Sequence, residues 1–246
     1  MDRRWILILA GAAVVLVVLQ AQRQRYVSQT LPQPVVELYP KAPAMPPTLA
    51  ESVESLLAKY EEILRTRAPA VLASLQPGLN DAQIDTFESR HAFKLPRDLR
   101  TLYRWRNGTA DTSSLDAFPD HRFIPLDEAI ATRDSIRGQV ARSTPAEREA
   151  YVTLAGHRAP WLGVVTDPAG DGYFFDPNRS EAEGSFFFSF AEDGTYIFFP
   201  AFRNFLAAVI AGNEAGVLRF GDKGAETADF TRAQNIWLRY GAASIY

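Results

Sequence analysis

The 246-residue chain contains no cysteine and three histidines. No disulfide framework can hold such a fold, and a thiol-free domain is compatible with either redox compartment. His91, His121 and His157 lie far apart and lack the i, i+4 spacing of a helical metal site. Each reads as a surface position on a helix or strand rather than as a ligand. The sequence also lacks a Gly-x-Ser-x-Gly elbow and a glycine-rich loop ending in Lys-Ser or Lys-Thr. Neither that type of serine hydrolase nor a P-loop nucleotide site has support. A basic excess is missing too. The chain holds 26 basic and 29 acidic side chains, and five basic but two acidic ones precede Leu49, which leaves about −6 on residues 49–246. That balance argues against nucleic-acid binding, which depends on a basic footprint. It suits a cationic protein partner, and ordinary solubility accounts for it equally well.

What is present begins with an apolar run, Trp5 to Leu19, preceded by Arg3 and Arg4. At ~1.5 Å per residue the run spans ~22 Å, or ~26 Å with Gln20 and Ala21. Local thinning and snorkelling by Arg23 and Arg25 would match it to a hydrocarbon core of ~30 Å. A cleaved signal peptide has an apolar core of similar length, but Leu19-Gln20-Ala21 is a poor small-x-small cleavage site. A buried core helix fits less well, because the run is apolar on all sides. The expectation is a transmembrane anchor over residues 1–21, with membrane contact through residues 5–21. Arginines flank both ends, so the positive-inside count ties. The short stub before a single span favours a periplasmic body, held as a single-pass protein of a bacterial inner membrane. Residues 22–48 then carry six prolines (Pro32, Pro34, Pro40, Pro43, Pro46 and Pro47). This composition predicts an extended spacer at ~3.1 Å per residue, up to roughly 80 Å long. The alternative is a tail packed along the body through Val35, Val36, Leu38 and Tyr39. Residues 49–246 are enough for one sizeable domain.

The body opens with helical signals. Thr48-Leu49-Ala50-Glu51 has capping-box spacing, followed by a 3.6-period stripe from Leu49 to Leu64. Asn80 to Gln83 repeats the cap pattern ahead of Ile84, Phe87 and His91. The stretch from Leu95 to Gly108 reads as a short amphipathic helix, with Pro96 at the first helical position and Leu95, Leu99, Leu102 and Tyr103 on one face. Asn107-Gly108 supplies its left-handed stop, and its arginines are expected to be solvated. Thr109 to Asp120 reads as an exposed loop. His121 to Ile124 is a short strand before Pro125, and a helix then runs from Leu126 to about Arg142.

The second half turns to strand. Trp161–Val165, Tyr173–Phe175, Ser185–Phe190 and Thr195–Phe199 are β-branched or aromatic runs bounded by turn residues, spaced as an antiparallel meander. Phe202, Phe205, Leu206, Val209 and Ile210 form a helix closed by Gly212, and a last helix carries Phe230 to Tyr240. The fold class is α+β: N-terminal helices, a mainly antiparallel sheet of about four to six strands, and C-terminal helices packing on it, apart from a separate membrane helix.

Four landmarks occur in a fixed order. They are Gly78-Leu79 with Ile84 and Phe87-Glu88; Leu95-Pro96 with Leu99, Tyr103, Trp105 and Asn107-Gly108; Gly170-Asp171-Gly172-Tyr173-Phe174-Phe175-Asp176-Pro177; and Pro200 with Phe202, Phe205 and Leu206. This order resembles the SUKH superfamily, which includes the yeast cell-wall-assembly regulators and many bacterial toxin-immunity proteins. The resemblance covers roughly residues 49–212. It implies a mixed α+β fold with a concave protein-binding surface, no catalytic centre and no cofactor. The anchor and spacer lie outside the pattern.

Chemistry is sparse. Asp167 to Asp176 is the most acidic turn, but in an EF-hand register Ala169 would fill position 3 and Asn178 position 12. Its glycines serve a turn more simply. Aromatics at alternate strand positions usually fill a core: Phe186, Phe188 and Phe190 face one way and Phe187 the other. An exposed Phe187 beside Tyr173 or Tyr196 would make that face a partner site. The expected partner-binding residues are Asp111, Asp116, Asp120, Asp171, Tyr173 and Asp176, whose charge would complement a protein partner. The functional reading is therefore a membrane-tethered, non-catalytic binding module that neutralises a toxin. A structural or regulatory factor in envelope assembly stands second, and a metal-assisted hydrolase using the acidic turn stands last.

Overall fold

The structure, a computed structural model, describes residues 49–142, 144, 161–167, 170–180, 184–190 and 196–245. The chain divides into two compact units, residues 1–38 and 39–246, and every described residue belongs to the second. The expected anchor, the spacer and His157 lie outside the described residues. No described helix is long and apolar enough to cross a membrane.

Helix α1 (Val53–Arg67) starts at Ser52, whose hydroxyl accepts from the Ser55 N–H. The cap expected at Thr48 is thus displaced. Leu49 is engaged elsewhere, its N–H on Asn204 Oδ1 (3.4 Å) and its carbonyl on the Arg203 guanidinium. Val53, Leu56, Leu57, Tyr60 and Leu64 form the buried stripe. After α2 (Pro69–Ser74) and β1 (Leu75–Pro77), α3 (Asp81–His91) begins at the expected reciprocal Asn80–Gln83 capping box.

Helix α4 (Arg97–Trp105) is shorter than its sequence suggests. Pro96 is its N-cap rather than its first residue, and the chain becomes extended at Arg106 to form β2 (Arg106–Thr109), antiparallel to β1. Gly108 is left-handed (φ +79°), but inside a strand rather than at a helix end, and a Cβ there would meet the Pro125 nitrogen at 2.3 Å. The helix end is closed from outside: the Leu79 N–H donates to the Tyr103 carbonyl at 2.9 Å. This contact brings Gly78 so near that a Cβ would lie 1.8 Å from the Arg104 carbonyl oxygen. Asn107 Oδ1 accepts from the Leu126 N–H, so the residue expected to stop α4 helps to start α5 (Leu126–Arg142). The arginines of α4 are not simply solvated: Arg100 is only 23% exposed and bridges Asp81, Asp85 and the buried Glu88.

The main sheet has six antiparallel strands in the order β10-β7-β6-β5-β4-β3. They are β3 (Arg122–Phe123), β4 (Leu162–Thr166), β5 (Gly172–Phe175), β6 (Phe186–Ser189), β7 (Tyr196–Phe199) and β10 (Ala243–Ile245). Register sorts the aromatic side chains. Leu162, Phe175, Phe186 and Phe199 form one cross-strand row, and Tyr173, Phe188 and Ile197 form the next on the same face. Helix α6 (Phe202–Glu214) lays Phe202 and Phe205 on those rows, the Phe205 ring 4.1 Å from Tyr173. Gly212, expected to close α6, lies inside it against Leu218. The opposite row, Phe174, Phe187 and Phe198, packs with Trp161 in a second buried cluster. Phe187 is fully buried, so this face is not the open aromatic surface its exposure would have made. Besides α2, β1 and β2, the hairpin β8 (Leu218–Gly221) and β9 (Gly224–Thr227) had no sequence expectation, nor had β10, which follows α7 (Phe230–Arg239) and covers the β7 edge.

Candidate functional site

Loop 111–120 is not free along its length. Its backbone is clamped to the turn of the β8–β9 hairpin: the Asp116 N–H donates to the Lys223 carbonyl (2.7 Å), and Ala225 returns a bond to the Asp116 carbonyl (2.9 Å). Gly224, at φ +104°, makes this possible, because a Cβ would sit 2.4 Å from the Asp116 oxygen. Ala117 and Phe118 are buried beneath the loop, where the Tyr60 hydroxyl donates to the Ala117 carbonyl. With the apolar side chains turned inward, Asp111 and Asp120 lie exposed and Asp116 half-buried.

Asp111 is 88% exposed and only loosely paired with Arg122 at 3.5 Å. Asp120 takes a left-handed backbone (φ +62°), donates its N–H to Ala225 and accepts from the Thr227 N–H through both oxygens. Asp116 is half-buried between them, with no hydrogen bond to its carboxyl among the described residues. Burial pushes that carboxyl up to about 6; His121 and Lys223 pull it down, and Asp120 and Asp167 push it further up. The charges of Asp120 and Asp167, one from each acidic segment, thus both reach Asp116.

The turn between β4 and β5 uses its carboxylates differently. Asp167 Oδ1 accepts from the backbone N–H groups of Gly170 (2.8 Å) and Asp171 (2.9 Å), an Asx-type closure of the turn. Gly170 is left-handed (φ +96°), and a Cβ on Gly172 would meet the Val165 carbonyl at 2.3 Å. Asp171 is half-buried at the tip. Asp176 is 1% exposed, accepts from Trp161 Nε1 (3.2 Å) and the Asn178 N–H (2.9 Å), and pairs with Arg179. Tyr173 is buried among Phe186, Phe188 and Phe205, where burial raises its hydroxyl pKa far above the ordinary phenol value.

Of the six residues expected to contact a partner, Asp111, Asp116, Asp120 and Asp171 reach the surface. Tyr173 and Asp176 do not, and those two expectations are corrected: both side chains are parts of the core. His121, expected at the surface, is buried edge-on to Tyr173 (5.7 Å) and Phe188 (5.3 Å), with Nδ1 2.7 Å from the Pro119 carbonyl. Among the described residues no group of three or more His, Cys, Asp or Glu side chains is placed to hold a metal ion. The part missed from sequence is the hairpin. Gly221-Asp222-Lys223-Gly224, between Leu218 and Thr227, is a hairpin-turn signal that could have revealed it.

The structural landmarks behave as scaffold. Leu95, Leu99, Tyr103, Phe202, Phe205 and Leu206 are buried, Tyr103 donates to the Ile124 carbonyl, and Pro200 sits buried ahead of α6. A comparison with protein families returns a match to the SMI1 / KNR4 family (SUKH-1) over residues 78–208, more than half of the chain. The chain belongs to the SMI1/KNR4 family. The match begins at Gly78, whose close approach seals α4, and ends within α6, which carries the Phe202–Phe205 contact with the sheet. No curated protein matches the chain. In this SUKH-1 domain the matched residues supply strands β3 to β7 and the first half of α6, while edge strand β10 and the β8–β9 hairpin that clamps the acidic loop lie beyond them.

Proposed function

We propose that this SUKH-1 domain is a non-catalytic protein-binding module that holds a cationic protein partner through Asp111, Asp116, Asp120 and Asp171, in a toxin-neutralising role. The observation that carries the reading is the clamped loop 111–120. Its backbone is bonded to the hairpin at Asp116 and Asp120, which lowers the ordering cost of presenting these carboxylates on binding. Electrostatic complementarity of this kind mainly sets encounter rate and partner choice. The apolar run Trp5–Leu19 and the proline-rich residues 22–48 favour a body tethered at a bacterial inner membrane, and we put that body on the periplasmic side. They equally favour the second reading, a regulatory factor in envelope assembly.

The test is a growth assay with the product of the neighbouring gene, expressed alone and together with the full chain. Rescue by the wild type and loss of rescue with Asp111→Asn/Asp120→Asn supports neutralisation. A neighbouring product that is harmless, with envelope defects on deletion of this gene, supports the second reading. A reporter fusion after Tyr246 reads the side of the membrane.

A further inference from the structure

Phe230 and Leu238 are the large apolar side chains left exposed among the described residues, at 48% and 60%. Both belong to α7, and with Gln234 they share one stripe of the helix at i, i+4 and i+8. Beside it α7, β7 and Ala242 border a groove of about 150 Å³, lined by Ile197, Thr231, Gln234, Asn235, Leu238 and the edge of Trp237. The Phe230 ring braces the indole edge-on at 5.7 Å. None of the described lining residues is charged, so the groove suits an uncharged, apolar occupant.

The chain itself holds such a segment, attached close by. The Leu49 N–H donates to Asn204 Oδ1 (3.4 Å), and Nδ2 of the same side chain donates to the Tyr240 carbonyl (2.9 Å) at the end of α7. Residues before Leu49 thus start beside the helix that borders the groove. The boundary between the two compact units falls at Tyr39, which groups residues 39–48 with the body. Among them Ala42-Pro43-Ala44-Met45-Pro46-Pro47 carries no charge and one long apolar side chain. As a polyproline helix this segment would span ~19 Å at ~3.1 Å per residue, against ~15 Å for α7.

We infer that the α7 groove is the docking site of residues 42–47 of the same chain. Met45 would seat between Leu238 and Ile197, its unbranched thioether suited to an irregular gap. A polyproline helix makes no internal hydrogen bonds, so its carbonyls can accept from the Gln234 and Asn235 amides. Attachment at Leu49 holds the segment at a roughly millimolar effective concentration, so a small contact suffices. Position, length and lack of charge together select this occupant.

The experiment uses the full chain in detergent micelles. The chain has no cysteine, so a pair of introduced cysteines can form only one disulfide within it. Met45→Cys/Leu238→Cys tests the docked pair, and Met45→Cys/Arg97→Cys is the control. Arg97 is exposed, and its neighbour Asp98 binds Arg203, which also holds the Leu49 carbonyl. With copper–phenanthroline as oxidant, the first pair is expected to close at least about tenfold faster. Trypsin cleavage after Lys41 is expected to speed up about tenfold in Leu238→Glu and to keep its wild-type rate in Leu238→Met, with an unchanged Tm in both. Equal closure rates, disulfides between chains instead of within one, or wild-type cleavage in Leu238→Glu would overturn the proposal.

Discussion

In the turn between β4 and β5, Asp167 closes its own backbone, and just past the far end of β5 Asp176 lies 1% exposed against Trp161 and Arg179. In loop 111–120, by contrast, the main chain is bonded to a hairpin, and Asp111 stands 88% exposed. Both segments are acidic, yet Asp167 and Asp176 are spent on the fold while Asp111 is presented to solvent. The difference lies in which donors reach the side chain. A tight glycine turn leaves two N–H groups pointing inward, and an aspartate beside them satisfies both. In the longer loop the Asp116 and Asp120 N–H groups already bond the hairpin, and Asp111 is left with a loose pair to Arg122 and solvent.

Removing the buried carboxylate tests the first half of this contrast most severely. Asp176→Ala removes the buried acceptor of the Trp161 and Asn178 N–H groups and a charge partner of Arg179, and is expected to cost about 3 kcal/mol in urea unfolding. A loss below about 0.5 kcal/mol would place Asp176 among surface residues in energetic terms. Gly224→Ala attacks the clamp of the second region. A Cβ there collides with the Asp116 carbonyl, so the expected cost is about 2 kcal/mol, with faster amide exchange at Asp116 and Ala225. Unchanged exchange would mean that the hairpin does not hold the loop.

The smallest effect concerns pH. The Asp116 carboxyl is raised from the ordinary 3.8 to about 6, so the folded state keeps a proton that the unfolded chain has already released. Its contribution is fully favourable below about pH 4 and is lost as pH rises through about 6. Asp116→Asn should remove that slope and leave the variant relatively more stable at pH 7 than at pH 4. The difference should be about 1 kcal/mol, since a half-buried site is screened by solvent. A wild-type slope that persists in the variant would assign it to another group.

The four landmarks, the meander and the Asn80–Gln83 cap were legible because local chemistry fixes them: aromatic alternation, Gly-Asp-Gly punctuation and a reciprocal side-chain cap. Helix ends were less legible where a distant segment supplies the missing bond. Leu79 closes α4, and Asn204 with Arg203 holds Leu49 back from α1. Tyr173 is covered by α6 lying over the sheet, and His121 packs on the Tyr173 and Phe188 rings, contacts no local pattern encodes. The acidic loop was legible as charge, but not as a clamped surface, because its anchor lies about a hundred residues away in β8–β9.

The most direct measurement is the affinity for a partner captured by a photo-crosslinker at position 111 or 120 of the full chain. Wild type, Asp111→Asn/Asp120→Asn and the charge-matched control Asp81→Asn/Asp85→Asn on α3 would be compared at two salt concentrations. The acidic-loop account predicts at least about tenfold weaker binding for the loop variant alone, with a reduced salt dependence. Equal weakening by both variants, or by neither, would contradict it.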